Sequence, residues 1–141
     1  MLRSWWLAGL ALVIGLAVAV PQFRGGLYWV GGVELVVFAV LAWSWSPLMF
    51  PRSVGAERAR QDGRPVIYWR PGCRYCQRLR FRLGRDARRA HWVNIWADPL
   101  GAAAVRAATG GNETVPTVAL GGQTYVNPDP RWVRERLRER R

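Results

Sequence analysis

From Ser4 to Phe23 the chain carries no charged residue, and from Gly25 to Pro51 it carries only Glu34. Backbone groups in hydrocarbon must bond to one another, and a helix of about 20 apolar residues satisfies them while crossing a core of roughly 30 Å. Residues 1–51 are therefore expected to be a membrane anchor with two spans, about 5–21 and 27–50. Pro21 is expected to close the first, and Pro47 and Pro51 the second. The connector PQFRGG suits only a tight hairpin, which puts both ends of the pair on one side. Trp5, Trp6, Tyr28, Trp29, Trp43 and Trp45 fall near span ends, where amphipathic rings favour the headgroup layer. Glu34 falls about two turns into its span, within reach of the interface.

Beyond Pro51 the character changes. Residues 52–141 hold nineteen arginines against eight acidic residues, with no lysine, so nearly all of the net charge of +12 lies there. Basic residues flanking a span are retained in the cytoplasm. Arg52, Arg58, Arg60 and Arg64 follow the second run, whereas the hairpin connector offers only Arg24. The plasma membrane is the expected location, with the bilayer as a partner and the C-terminal part in the cytoplasm. Reading Arg3 and the small residues Ala17 to Ala19 as a cleaved signal leaves that address unchanged, because the second run would stop transfer. The arginine excess attracts anionic surfaces. It lacks interleaved aromatic stacking platforms, so no nucleic acid is expected.

Residues 52–64, including VGAERARQDGR, read as a charged linker with an amphipathic turn. PVIYW is a compact β-rich run fit for a buried strand. A helix is expected from the following cysteine motif to Arg89, with Tyr75, Leu79 and Leu83 spaced by four and Gly84 as its weak point. HWVNIWA reads as a second strand. Asp98 and Pro99 then form a helix start, a side-chain cap followed by a first-turn proline, and Gly110 and Gly111 end that helix. TVAL and QTYV flank Gly121-Gly122 as a hairpin. Asn127-Pro128-Asp129-Pro130 opens a last helix with Trp132, Val133 and Leu137 available to the sheet. The order is β-α-β-α-β-β-α.

RPGCRYCQR contains both cysteines, Cys73 and Cys76. A closed zinc site takes about four ligands, and two cysteines with one histidine, His91, are too few. Cytoplasmic thiols are kept reduced, which disfavours a structural disulfide. A cysteine at a helix N-terminus meets unpaired N–H groups and the positive end of the helix dipole, both of which favour thiolate. Arg70 and Arg74 add positive charge nearby. Cys73 is thus the expected nucleophile, and Cys76, nearly one turn further on, the resolving thiol.

YWRPGCRYC together with TGGNETVPTVAL resembles the glutaredoxin family, and more narrowly the actinobacterial mycoredoxins, over roughly residues 65 to 138. The resemblance implies a thioredoxin-like, glutaredoxin-type α/β fold for residues 65–141, with a four-stranded mixed sheet and flanking helices behind the two transmembrane helices. It implies that Arg70 contacts the carboxylate of a small thiol and that Tyr75 matches the tyrosine commonly found before the second cysteine. Thr114, Val115 and Pro116 match the family's Thr-Val-Pro, with the proline cis and the valine backbone pairing with the bound thiol. Tryptophan before the first cysteine and Gly-Pro between the two, the thioredoxin signature, are absent. Where glutathione-dependent members carry Gly-Gly and an acidic residue, this chain has Val126-Asn127-Pro128-Asp129, which resembles the mycoredoxin pattern.

The expected function is that of a membrane-anchored thiol–disulfide oxidoreductase acting on mixed disulfides between client proteins and a small thiol, with mycothiol preferred to glutathione. No bound cofactor and no metal are expected. Two other classes fit the same residues: a non-catalytic iron–sulfur or metal-binding module, and a membrane scaffold built on a redox-inert thioredoxin-like fold. The arginine asymmetry makes a topology prediction. A reporter fused after Arg141 should be active only if it is of the kind that works in the cytoplasm, and activity of an exported reporter there would reverse the assignment.

Overall fold

The computed structural model describes residues 4–61 and 63–139; Arg3, Asp62, Arg140 and Arg141, which enter the sequence expectations above, lie outside the described residues. The chain divides into two compact units, Met1–Met49 and Phe50–Arg141.

The first unit is a hairpin of α1 (Trp6–Arg24) and α2 (Tyr28–Trp45). At 1.5 Å per residue they are about 27–29 Å long, close to the thickness of a hydrocarbon core. Both are long and apolar enough to cross a membrane. Ala8, Ala11, Gly15 and Ala19 form the buried stripe of α1. A Cβ on Gly15 would stand 2.5 Å from that of Phe38, so the small residue lets the helices approach closely. The remaining faces expose Val13, Leu16, Val36 and Val40, each more than half accessible, an arrangement suited to lipid and unlike the core helix of a soluble domain. Glu34 Oε2 is buried without a hydrogen-bond partner among the described residues.

Two expectations about the hairpin are corrected. Pro21 does not close the first span, because α1 runs through it to Arg24. Proline forfeits its own N–H, but its carbonyl accepts from Gly25 N at 2.9 Å and so closes the last turn. The second helix stops at Trp45 rather than near residue 50. Ser46, immediately before Pro47, is driven into an extended conformation (φ −82°, ψ 157°), as the proline ring demands of its predecessor.

The second unit contains α3 (Ala56–Gln61), β1 (Val66–Trp69), α4 (Arg74–Leu83), a 3₁₀ turn (Gly84–Arg89), β2 (His91–Asn94), α5 (Pro99–Ala108), β3 (Thr117–Leu120), β4 (Gln123–Val126) and α6 (Pro130–Glu139). The sheet order is β2-β1-β3-β4. The β1–β2 pair is parallel with Val66 opposite His91; β3 pairs antiparallel with both β1 and β4. With helices α4, α5 and α6 flanking this mixed sheet, the architecture is thioredoxin-like. All four residues of β1 are buried, as a central strand covered on both faces requires. Gly121 and Gly122 both have positive φ (58° and 80°), which the two-residue hairpin turn needs.

Helix α4 ends at Leu83, six residues short of the expected Arg89, because Gly84 takes a positive φ of 54° and the chain tightens into the 3₁₀ turn. Leu79 and Leu83 are buried as their spacing predicts, whereas Tyr75 is 44% exposed and faces the site described below. Asp86 in the 3₁₀ turn receives Arg89 at 3.3 Å, Arg134 at 3.8 Å and Arg138 at 2.9 Å, joining that turn to α6. Val133 and Leu137 of α6 are buried, and Trp132 leans on Tyr125 at 4.5 Å between ring centres.

Phe50, expected at the end of the second span, belongs to this unit and stacks on Trp69 with ring centres 3.8 Å apart. The segment 52–64 expected as a linker is packed in as well: Ser53 bridges to Trp92, and Ala56 and Ala59 are fully buried. Asp98 holds two elements at once: Oδ1 accepts from Gly101 N at 2.9 Å as the cap of α5, and Oδ2 accepts from Ala56 N at 2.6 Å at the start of α3. Losing a cap and a second bond to a partly buried N–H should cost about 2 kcal/mol in Asp98→Ala. Thermal unfolding followed by tryptophan fluorescence checks this, and an unchanged transition would mean that the two bonds contribute nothing.

Candidate active site

The motif connects the end of β1 to the start of α4. Gly72 has φ 73°, a backbone shape that a side chain would strain, and it turns the chain so that Cys73 becomes the N-cap of α4. Its sulfur accepts from Cys76 N at 3.2 Å, taking the place of the usual capping oxygen. Cys76 Sγ donates to Cys73 Sγ at 2.7 Å, and Cys73, when protonated, donates to Val115 O at 3.4 Å. Both cysteines are free thiols.

These contacts separate the two titrations. The Cys73 thiol is brought down from its ordinary 9.0 to about 7, chiefly by the hydrogen bond from the Cys76 side chain. The N–H groups of Cys76 and Tyr75 and the charge of Arg70 assist, against the opposing effect of burial. Cys76 is pushed strongly the other way, first by burial and then by its bond and charge interaction with Cys73. The pair is thus one thiol poised to ionise near neutral pH beside another that keeps its proton.

A cleft of about 710 Å³ opens at Cys73, lined among others by Arg70, Tyr75, Glu113, Thr114, Val115 and Asn127. The sequence-predicted residues Arg70, Cys73, Tyr75, Thr114 and Val115 therefore meet in one place. Pro116 follows Val115 through a cis bond and lines an adjoining hollow of about 250 Å³ with Tyr75 and Asn127. Cys76 is fully buried behind Cys73. Arg74 folds back over Tyr75, its Cζ 4.9 Å from the ring centre and its Nη2 donating to the Tyr75 hydroxyl at 2.9 Å. It lines the cleft but is not among the groups that lower Cys73, so the positive charge expected of both arginines falls to Arg70.

Asn112 and Glu113 are wall residues that sequence reasoning did not single out, and Asn127, read there only within the Val126–Asp129 pattern, is a third. The first two immediately precede Thr-Val-Pro, so their adjacency to the motif was an available signal. Glu113 is held by Arg106 of α5 at 2.7 Å, which neutralises its charge at the groove. Asn127 has φ 46°, a left-handed shape that asparagine tolerates, and its N–H donates to Pro116 O at 2.7 Å.

The alkylation rate of Cys73 should rise with pH through a midpoint of about 7 and level off above it, falling about tenfold per unit below, because only the thiolate reacts. Since the Cys76 side chain supplies the largest lowering influence and Arg70 the smallest, Cys76→Ala should raise that midpoint more than Arg70→Ala does. Thiolate absorbance against pH, with alkylation rates alongside, reads both. A reversed order would contradict the hydrogen-bond account.

Comparison with known proteins agrees with this geometry. No curated protein matches the chain. Residues 66–125 match the glutaredoxin family model, from the first residue of β1 to the penultimate residue of β4. The matched stretch contains Cys73, Cys76 and the Val115-Pro116 loop, and leaves α1, α2 and α3 outside. Residues 66–125 of the second unit are thus similar to glutaredoxins and lie on a thioredoxin-like fold, which supports a function of the thiol–disulfide oxidoreductase type.

Proposed function

We propose that the protein is a membrane-anchored thiol–disulfide oxidoreductase whose domain faces the cytoplasm and whose substrates are mixed disulfides between client proteins and a small thiol. The observation that carries this reading is the Cys73 sulfur, held at a helix N-terminus at the mouth of a cleft with Cys76 Sγ 2.7 Å behind it. In the first step the Cys73 thiolate attacks the small-thiol sulfur of the mixed disulfide. The client sulfur leaves with the electron pair and takes a proton, and Cys73 is left disulfide-bonded to the small thiol. A second molecule of small thiol then attacks that sulfur, releasing the oxidised small-thiol dimer and restoring Cys73. Alternatively Cys76, after losing its proton, attacks Cys73 and releases the small thiol, and the enzyme becomes the intramolecular disulfide. Either route passes two electrons to the client for each disulfide opened.

Arg70 is assigned to hold the small thiol, with the exposed Thr114, the backbone of Val115 and the Tyr75 ring as the walls beside it. Mycothiol is the preferred small thiol and glutathione the lesser one. The neutral amide and hydroxyl groups of Asn112, Asn127 and Thr114 suit an uncharged, hydroxyl-rich partner. Anchoring is supported by the lipid-suited exterior of the hairpin, and cytoplasmic placement by the arginines that follow it.

Turnover by the full-length protein in detergent, offered mycothiolated and glutathionylated forms of one peptide, tests the assignment. Cys73→Ser should abolish reduction of both peptides, while Cys76→Ser should keep part of it, because free small thiol replaces the resolving step. The mycothiolated peptide should lead in kcat/KM by about tenfold, a difference of about 1.4 kcal/mol in transition-state binding. A lead for glutathione would overturn the thiol preference, and undiminished turnover by Cys73→Ser would overturn the mechanism.

A further inference from the structure

The wall behind Arg70 does not belong to the active-site motif. Arg70 Cζ lies 5.9 Å from the centre of the Trp96 ring. Trp96 stands in the turn after β2, half-buried, with its backbone N–H donating to Asn94 Oδ1 at 3.0 Å. Asn94 is buried, and its own N–H donates to Ser53 Oγ at 2.8 Å. Ser53 forms a parallel bridge with Trp92, and Val54 N donates to Trp92 O at 2.9 Å. Phe50 stacks on Trp69, the residue before Arg70, and lies 5.7 Å from the Trp92 ring. The strand ends are locked as well, through Ile95 N donating to Trp69 O at 3.0 Å.

The geometry points to a positioning role for the segment Phe50–Ser53, the first residues after the apolar hairpin, which through Asn94 and Trp96 holds the Arg70 guanidinium beside the Cys73 sulfur. Trp96 is the positioning residue in direct contact. A guanidinium on a long, flexible stem otherwise spreads over many rotamers, and an indole face, attractive to a cation, narrows them. Ser53 fixes the turn that carries the indole by holding the backbone of Asn94, whose side chain in turn receives the backbone N–H of Trp96. The consequence is that the stretch of chain leaving the hairpin is a working part of the catalytic domain. The inference rests on the proposed function in taking Cys73 as the nucleophile and Arg70 as the group beside it that holds the small thiol.

The test compares alkylation of Cys73 by iodoacetate, an anion, and by iodoacetamide, its neutral analogue, in the reduced full-length protein in detergent. The ratio of the two rates reports a cation beside the sulfur and requires no knowledge of the natural substrate. Arg70→Ala should lower it about two- to tenfold, the range for losing one nearby charge between a partly shielded and a solvated setting. Trp96→Leu should produce at least half of that loss on a logarithmic scale, Trp96→Phe should restore the ratio, and Ser53→Ala should lower it by less. Trp96→Leu added to Arg70→Ala should change nothing further, since the first acts through the second. Loosening of the fold speeds both reagents together and leaves the ratio where it was. An unaltered ratio in Trp96→Leu beside a lowered one in Arg70→Ala, an unaltered ratio in Arg70→Ala itself, or additive losses in the double variant would each overturn the inference. A wild-type Cys73 alkylated no faster than free cysteine would instead overturn the proposed function on which it rests.

Discussion

The site depends on one sulfur acting as a helix cap. Oxygen-bearing side chains usually fill that position, because the first N–H groups of a helix have no partner within it. Here Cys73 Sγ receives both the N–H and the thiol of Cys76, three residues on. One geometry therefore performs three tasks. It starts α4, it favours the charged form of Cys73, and it places a second sulfur within bonding distance of the first. Burial works against the thiolate, and hydrogen bonding outweighs it at Cys73; at Cys76 burial is the largest influence and its proton stays. The asymmetry between two chemically identical thiols comes from which one sits at the end of the helix and which one lies inside it.

The two units place their apolar residues differently. Residues 4–49 pack through small side chains along one stripe and direct their large apolar ones outward, an arrangement suited to a setting where lipid replaces water. From Phe50 onward the apolar residues turn inward around β1, and arginines populate the surface. Some of those arginines are spoken for, three of them by Asp86 and one by Glu113. The change of regime falls between adjacent residues, with Phe50 already stacked on a core tryptophan.

Much of the domain could be read from local rules. The Asp98 cap, the glycine pair at the hairpin turn and the inward Val133 and Leu137 are each dictated by neighbours a few residues away, and all are found where expected. The cysteine pair and the Thr114-Val115-Pro116 loop, by contrast, lie about 40 residues apart in sequence, and a family resemblance rather than any pattern in the residues joined them. What escaped was non-local and unmarked. RSVGAERAR is charged enough to pass for a linker, since only Ala56 and Ala59 face inward and alanine is a faint hydrophobic signal. The partnership of Trp96 with Arg70 was hidden for the same reason. Pro21 misled differently: a proline removes one donor, and near a helix end its carbonyl can still close the turn.

The central claim is that Cys73 alone forms the bond to the small thiol and that Cys76 only resolves it. Intact-mass analysis of the full-length Cys76→Ser and Cys73→Ser proteins, each exposed to oxidised mycothiol, tests this most directly. The account predicts one mycothiol per chain in Cys76→Ser and none in Cys73→Ser. No adduct in Cys76→Ser under conditions in which free cysteine acquires one, or an adduct on Cys76 in Cys73→Ser, would contradict it.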